Sequence, residues 1–427
     1  MNLRLGYKTQ AIPIDGVDTL AVQKRTLGVL RLSSTFSRGA VSASFPVAVL
    51  SIEDLLGNEA RWAGLSTASS TVGSALAAGL LATFMQRRGR TPGLSLGLGV
   101  AGLGAVLCIV AVQAGLLPVF LAGMILVGVG NGTSNMSRYA AADLASDATR
   151  SRDIGSIVFF ATFGAVLAPN SIGFLGDAAE SIGLDANAGG FLAAIVLFGL
   201  SSLVIFFLLR PDPLVVSGGV DPTASSKKRT VPFSEAIKIA WSHPLTRLAF
   251  VALVVSQAVM VMVMAMTPLH MRDHGHGNGW IGAVISAHTA GMFAFAPLAG
   301  RISDRMGRVQ TIVLAGFTLV AATIITGLAG EAPRSLLFPG LFLLGLGWSF
   351  GVVAGSALLT ESVPESDRVA VQGAADLATN IASGAGALTA GFVVSGAGYH
   401  ILSLIGMAGA GALMIQSWFE NRLTVLR

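Results

Sequence analysis

Twelve apolar stretches follow one another along this 427-residue chain, each close to the roughly 20 residues that carry a helix across about 30 Å of hydrocarbon. They lie at approximately 27–50, 61–84, 93–114, 117–140, 153–175, 188–210, 245–268, 278–299, 309–329, 336–360, 368–394 and 398–419. Hydrocarbon offers no water to backbone N–H and C=O groups, so each stretch must close its hydrogen bonds within a helix. The expected fold class is therefore an all-α integral membrane protein with 12 transmembrane helices. Hydrophobic residues make up 53% of the chain, charged ones only 11%, and the mean hydropathy is +0.73, which excludes a soluble protein of this length. The 53 glycines suit helices that pack backbone against backbone.

The charges that remain orient the chain. Residues 1–26 are polar, carry Arg4, Lys8, Lys24 and Arg25, and lack the apolar core and cleavage site of a signal peptide, so they are expected to stay in the cytoplasm. From that start, the inner connections hold Arg87, Arg88, Arg90, Arg150, Arg152, Lys227, Lys228, Arg229, Arg301, Arg305, Arg308 and Arg368. The outer ones hold only Arg61, Arg272 and Arg334, among acids such as Glu53, Asp54, Glu59, Asp177 and Asp273. This bias predicts a multi-pass protein of a bacterial-style cytoplasmic (plasma, inner) membrane with both termini cytoplasmic, including a short tail at 420–427. The net charge of +5 is thus a topology signal, and with no aromatic-basic face no nucleic-acid partner is expected. A single cysteine, Cys108, excludes an internal disulfide and a thiolate cluster, and no bound cofactor is expected.

The chain also repeats itself. Gly123-Met-Ile-Leu-Val-Gly128-Val-Gly130 returns as Gly340-Leu-Phe-Leu-Leu-Gly345-Leu-Gly347, 217 residues later, and Arg87-Arg-Gly89-Arg90 returns as Arg305-Met-Gly307-Arg308, 218 later. Two different motifs at nearly one offset mark a duplicated six-helix bundle, at 27–210 and 245–419, joined by a cytoplasmic linker at 211–244. That is the layout of transporters that rock two bundles around a site near the midplane.

Chemistry concentrates in spans seven and eight. Met260 with Met264, and His288 with Met292, are pairs four residues apart, which puts each pair on one helix face. Thioether plus imidazole favours Cu(I) and is indifferent to Mg²⁺ or Ca²⁺. Span seven runs outward and span eight inward, so Met260 and His288 are expected at nearly equal depth, roughly 12 to 15 Å below the outer edge. Met262 and Met266 alternate with the pair on span seven and are expected to face elsewhere. His270, Met271, His274 and His276 crowd the loop after span seven and form a candidate metal entrance, or a solvated polar turn. A Met-rich stripe is more often packing than a metal site, and His288 can instead couple protons.

Arg38 in span one and Asp376 in span eleven lie inside apolar segments at a cost of about 3 kcal/mol each, so each should have a partner or face water. Asp376 is a candidate proton carrier and Arg38 a candidate holder of an anionic substrate; a gate salt bridge is the alternative. Asp143 and Arg138 are expected to anchor the inner end of span four. Asn131, Asn135, Asn170, Gln257 and Asn380 either line a polar cavity or bond between helices.

Gly300-Arg-Ile-Ser-Asp304-Arg305-Met-Gly307-Arg308 resembles the signature loop between the second and third helices of each half in the major facilitator superfamily, and the resemblance covers most of the chain. It implies a cytoplasmic gate braced by this loop in both halves, here Arg87, Gly89, Arg90, Gly300, Asp304, Arg305, Gly307 and Arg308. The N-terminal copy departs from the pattern, with Gln86 for the acid and Ala82 for the first glycine. More narrowly, MxxxM on helix seven and HxxxM on helix eight resemble the CcoA-like branch, which includes copper importers. That resemblance implies Met260, Met264, His288 and Met292 as metal ligands and copper as the transported substrate. Related drug-type exporters carry the same motifs and a riboflavin-transporting subgroup shares the branch. A proton-coupled carrier of an organic solute, exporter or riboflavin-like importer, is therefore the alternative. With no Walker loop and no catalytic constellation, the chain is read as a gradient-driven, alternating-access transporter and not an enzyme, working as a monomer in the bilayer. A membrane sensor that keeps this fold is a third reading, against which the lack of a large soluble domain counts.

Overall fold

The computed structural model describes residues 18–56, 64–170, 172–220, 231–273, 278–328 and 336–425, almost all of them helical. The helices are α1 Thr19–Leu55, α2 Gly64–Arg88, α3 Arg90–Ala114, α4 Leu117–Ala142, α5 Arg150–Asn170, α6 Ile172–Ser181, α7 Ala188–Leu208 and α8 Pro213–Val216. They continue as α9 Phe233–Ser242, α10 Pro244–Asp273, α11 Asn278–Thr289, α12 Ala296–Met306, α13 Arg308–Leu328, α14 Leu337–Ser362, α15 Glu365–Ala397 and α16 Tyr399–Val425. Among the described residues, ten helices are long and apolar enough to cross a membrane, and α11 with α12 makes an eleventh as a pair bent by 42°. The remaining long helix, α1, is diluted by Arg31, Arg38 and a series of serines. Phe174, Leu388 and Phe392 are more than 70% exposed, as suits an exterior solvated by lipid.

Several boundaries differ from the sequence expectation. Span eight is broken by a π-helical turn, Ala290–Ala294, because Pro297 has no N–H to give to the carbonyl of Phe293. The seventh span runs to Asp273, five residues past its expected end at 268, and carries His270 and Met271 in its final turns. Within the linker, α9 is amphipathic, burying Ala236 and Ala240 while exposing Phe233 and Trp241.

The chain sorts into two compact units, one of Pro13–Leu144 with Phe160–Phe233, the other including Ala145–Phe159 with Ser234–Arg427. In the first, α4 packs on α1, α2 and α3, and α7 on α1 and α3. In the second, α14 packs on α10, α11 and α13, and α16 on α10 and α13. The two units are thus pseudo-symmetric bundles. Their centre is a helix crossing that only glycine permits. A Cβ on Gly128 would fall 2.1 Å from the Ser70 carbonyl oxygen, and one on Gly73 would fall 1.8 Å from that of Ile125. In the other unit a Cβ on Gly345 would fall 2.2 Å from the His288 carbonyl oxygen, and one on Gly291 would fall 2.4 Å from that of Phe342. All four pairings repeat at an offset of 217 or 218. Gly345→Ala is expected to cost about 1–3 kcal/mol and to lower the melting midpoint in detergent. Gly79→Ala, where nothing lies within 4 Å of the added methyl, should be silent. Equal midpoints for the two variants would refute the close crossing.

Candidate functional site

Each copy of the Arg-x-Gly-Arg motif turns on its glycine: Gly89 has φ 93° and Gly307 φ 103°, a region that residues with side chains rarely adopt. The turn returns the following arginine to the end of the fourth long helix of its own repeat. Arg90 donates from Nε and Nη2 to Asp143 at 2.8 and 3.2 Å, with both side chains fully buried. Arg308 donates from Nε to Glu361 at 2.9 Å. Arg90 to Arg308 and Asp143 to Glu361 are both steps of 218, so the ion pair is duplicated along with the fold. Asp143 was expected to anchor span four; Glu361 was missed, although the offset pointed to it.

The copies diverge at the acid. Asp304 accepts the backbone N–H groups of Ser151 and Arg152 at 3.1 and 2.9 Å, capping the first turn of α5 where a carboxylate is favoured. The hydroxyls of Ser151 and Ser303 meet at 2.8 Å, and Gly300 lies against the Arg152 backbone. Arg308 reaches Asp304 at 3.3 Å and donates to the Asp147 carbonyl, while Glu361 also takes Arg150 at 2.9 Å. In the N-terminal copy, Gln86 accepts the N–H of Val231 at 3.1 Å, and Asp212 accepts that of Thr91 at 2.6 Å. Arg87 and Arg305 are exposed.

Mid-span polarity is organised around α4 and α14. Arg38 donates to the amide oxygens of Asn131 at 3.3 Å and Asn135 at 3.0 Å. Asn131 donates in turn to Ser74, whose hydroxyl bonds the Gly128 carbonyl at 2.9 Å. Arg138 holds the backbone of Asn135 and the ring and hydroxyl of Tyr139. On the other unit, Trp348 Nε1 donates to Gln257 Oε1 at 2.6 Å, and the Phe293 ring meets Trp348 edge-on with centroids 5.8 Å apart. Asp376 is buried about three turns into α15, and its carbonyl accepts from Asn380.

Of the sulfur and imidazole groups, Met260 and Met262 are buried in one apolar cluster with Val263, Leu319 and Leu344, and Met264, Met266 and Met292 pack against it. This cluster wraps α10, which packs on α14, α15 and α16, and Met262 lies beside Gly386 of α15. Met264 also packs on a second cluster of Met271, Val284, Leu337 and Leu341. His288 is buried, and its Nδ1–H donates to the Leu341 carbonyl at 3.0 Å. His270 is buried too, stacked on the ring of Tyr399 at 4.3 Å, whose hydroxyl meets Thr267 at 2.8 Å. His274 and His276 lie outside the described residues.

Two repeated six-helix bundles with charged turns at one end and polar pairs in mid-span define a multi-pass secondary transporter. The Major Facilitator Superfamily pattern matches residues 30–281 and 249–424, and the chain belongs to that superfamily. It is 36% identical over 390 residues to YdeG of Bacillus subtilis, described as an uncharacterized MFS-type transporter, covering 90% of this chain and 89% of that protein. To the riboflavin transporter RfnT of Brucella anthropi it is 28% identical over 342 residues, 79% of this chain and 82% of the relative. The human organic anion transporter MFSD10 shares the fold, with TM-score 0.74 at 18% identity over 93% of this chain and 99% of that one.

The buried pair at the N-terminal turn gives a direct test. Asp143→Asn leaves the guanidinium of Arg90 in an apolar pocket and is expected to cost about 3–5 kcal/mol, whereas Arg90→Met combined with Asp143→Leu should recover most of that. Melting of the purified variants checks this; an unaltered midpoint for the single variant would show that the pair carries no stability.

Proposed function

We propose that this transporter carries a small organic solute bearing hydrogen-bond acceptors, held at Arg38, Asn131 and Asn135. The observation that carries this reading is a guanidinium in mid-span whose donors are fixed in direction by two neutral amide oxygens. A cation that deep is expensive in a bilayer and marks a substrate or ion path. An acceptor or anionic group on the solute that reaches this guanidinium gains a charge-assisted bond. A relative that carries riboflavin, itself an organic solute, supports the same class. In this reading Asp376 carries the coupling proton, the membrane is the cytoplasmic one with both termini inside, and the monomer suffices.

Copper import through Met260, Met264, His288 and Met292 is a second reading, and one observation favours it. The bond from His288 Nδ1–H to the Leu341 carbonyl fixes the ring and reserves Nε2 as the ligand nitrogen, a usual arrangement around metal-binding imidazoles. It ranks second because the three thioethers, of Met260, Met264 and Met292, have the surroundings of ordinary apolar packing.

Proteoliposomes under an imposed pH gradient, offered organic solutes and radioactive copper in parallel, separate the two. Arg38→Gln is expected to lower organic-solute uptake roughly tenfold or more while the protein stays folded. Copper accumulation by the parent with no organic solute moved would sink the first reading. If copper is accumulated, Met260→Leu with Met264→Leu should abolish it; copper uptake that survives this exchange removes the second. Asp376→Asn is expected to stop gradient-driven net movement yet leave exchange between two substrate pools, and net transport that persists would exclude Asp376 as the proton carrier.

A further inference from the structure

We infer that Trp348, Phe293 and Gln257 form a binding surface for a planar, ring-bearing solute; this names the substrate class of the transporter proposed above and rests on that reading. Three observations converge on the same place. The first is the repeat. Gln257 follows Arg38 by 219 residues and Trp348 follows Asn131 by 217, so the Trp348–Gln257 bond occupies in its unit the position that the Arg38–Asn131 bond occupies in the other. The second is the π-helical turn at Ala290–Ala294, which breaks span eight at mid-length and carries Phe293 to the edge of the Trp348 ring. Such turns give up regular hydrogen bonds and recur at functional positions.

The third is the chemistry of the three side chains. All three remain partly accessible, unlike the fully buried aromatics of the bundle such as Phe120 and Phe198. Its indole N–H bonded to Gln257 and its apolar edge resting on the cluster of Val259 and Leu344, Trp348 is fixed in orientation before any solute arrives. A ring whose plane is already set stacks another ring at little cost in ordering. The bond to Trp348 uses the amide oxygen of Gln257, and the amide nitrogen carries two further donors for an acceptor on the solute edge. Flat heteroaromatic solutes with carbonyl acceptors match this combination; flexible aliphatic acids do not.

The test uses the full-length protein in proteoliposomes with four probes: riboflavin, xanthine, a fluoroquinolone and the aliphatic acid gluconate. The parent is expected to move at least one planar probe in preference to gluconate. For that probe Trp348→Leu and Gln257→Met should each raise KM about tenfold with kcat changed less, and Trp348→Phe should restore most of the affinity. Trp348→Phe and Gln257→Met keep the test decisive if the leucine variant is poorly folded. Transport of gluconate but of no planar probe overturns the inference and leaves the transport reading intact, as does a planar-probe KM within about twofold of the parent in both Trp348→Leu and Gln257→Met while Arg38→Gln still abolishes uptake. Movement of none of the four overturns both.

Discussion

Two helix crossings, α2 on α4 in one unit and α11 on α14 in the other, bring backbone atoms so close that no side chain larger than a hydrogen fits between them. In water such an approach would compete with hydration, but in a bilayer the helices are already stripped of water and gain from every dispersion contact that close approach allows. Other features are set by these crossings. With α4 and α14 held on their neighbours, Asn131 of α4 meets Arg38 of α1 and Trp348 of α14 meets Gln257 of α10, while the ends of α4 and α14 carry Asp143 and Glu361 for the arginines of the two turns.

The turns show how a duplicated scaffold can hold the same geometry with different charge. In both copies a glycine of positive φ sends an arginine to an acid 53 residues further on. The N-terminal pair is sealed from solvent and behaves as a permanent strut, since separating it would strand a buried charge. The C-terminal arginine instead shares Glu361 with Arg150, touches Asp304 and bonds the Asp147 carbonyl, while Asp304 also caps α5. A network in which one carboxylate serves two cations and another serves a helix terminus is spread over several modest contacts. It can be dismantled stepwise at lower cost than a sealed pair. Where Gln86 replaces the acid, a neutral amide accepts one backbone N–H, and this copy lacks the carboxylate that caps a helix in the other.

Much of this was legible in the sequence because membrane solvation writes in long runs. Ten helices, the broken pair and α1 fall where hydropathy puts them, and the offset of 217 to 218 residues marks the duplication in the sequence itself. What escaped was local. Pro297 was visible, but nothing in a single sequence said that the helix would answer with a π turn instead of a simple kink. Continuation of α10 to Asp273 also escaped, because Pro268 reads as a terminator and the burial of His270 against Tyr399 depends on a residue more than a hundred positions away. The methionines were read by helical spacing alone. Spacing assigns faces, but it does not say which are covered, and α10 is packed on several sides by α14, α15 and α16.

The repeat also weighs the site residues against one another. A residue that matters only for packing should recur in kind at the equivalent position, as the four crossing glycines do. The positions 218 before His288 and Met292 hold Ser70 and Ser74, and those matching Gln257 and Trp348 hold Arg38 and Asn131. Ser74 belongs to the hydrogen-bonded chain from Arg38 through Asn131 to the Gly128 carbonyl, whereas Met292 sits beside Phe293 on the turn that meets Trp348. One unit has thus placed cationic and amide donors on a scaffold where the other has placed rings, a thioether and an imidazole. The backbone differs at the same place, α2 being continuous where its counterpart is broken by the π-helical turn. Equivalent positions of a duplicated scaffold have thus come to carry different chemistry in each unit.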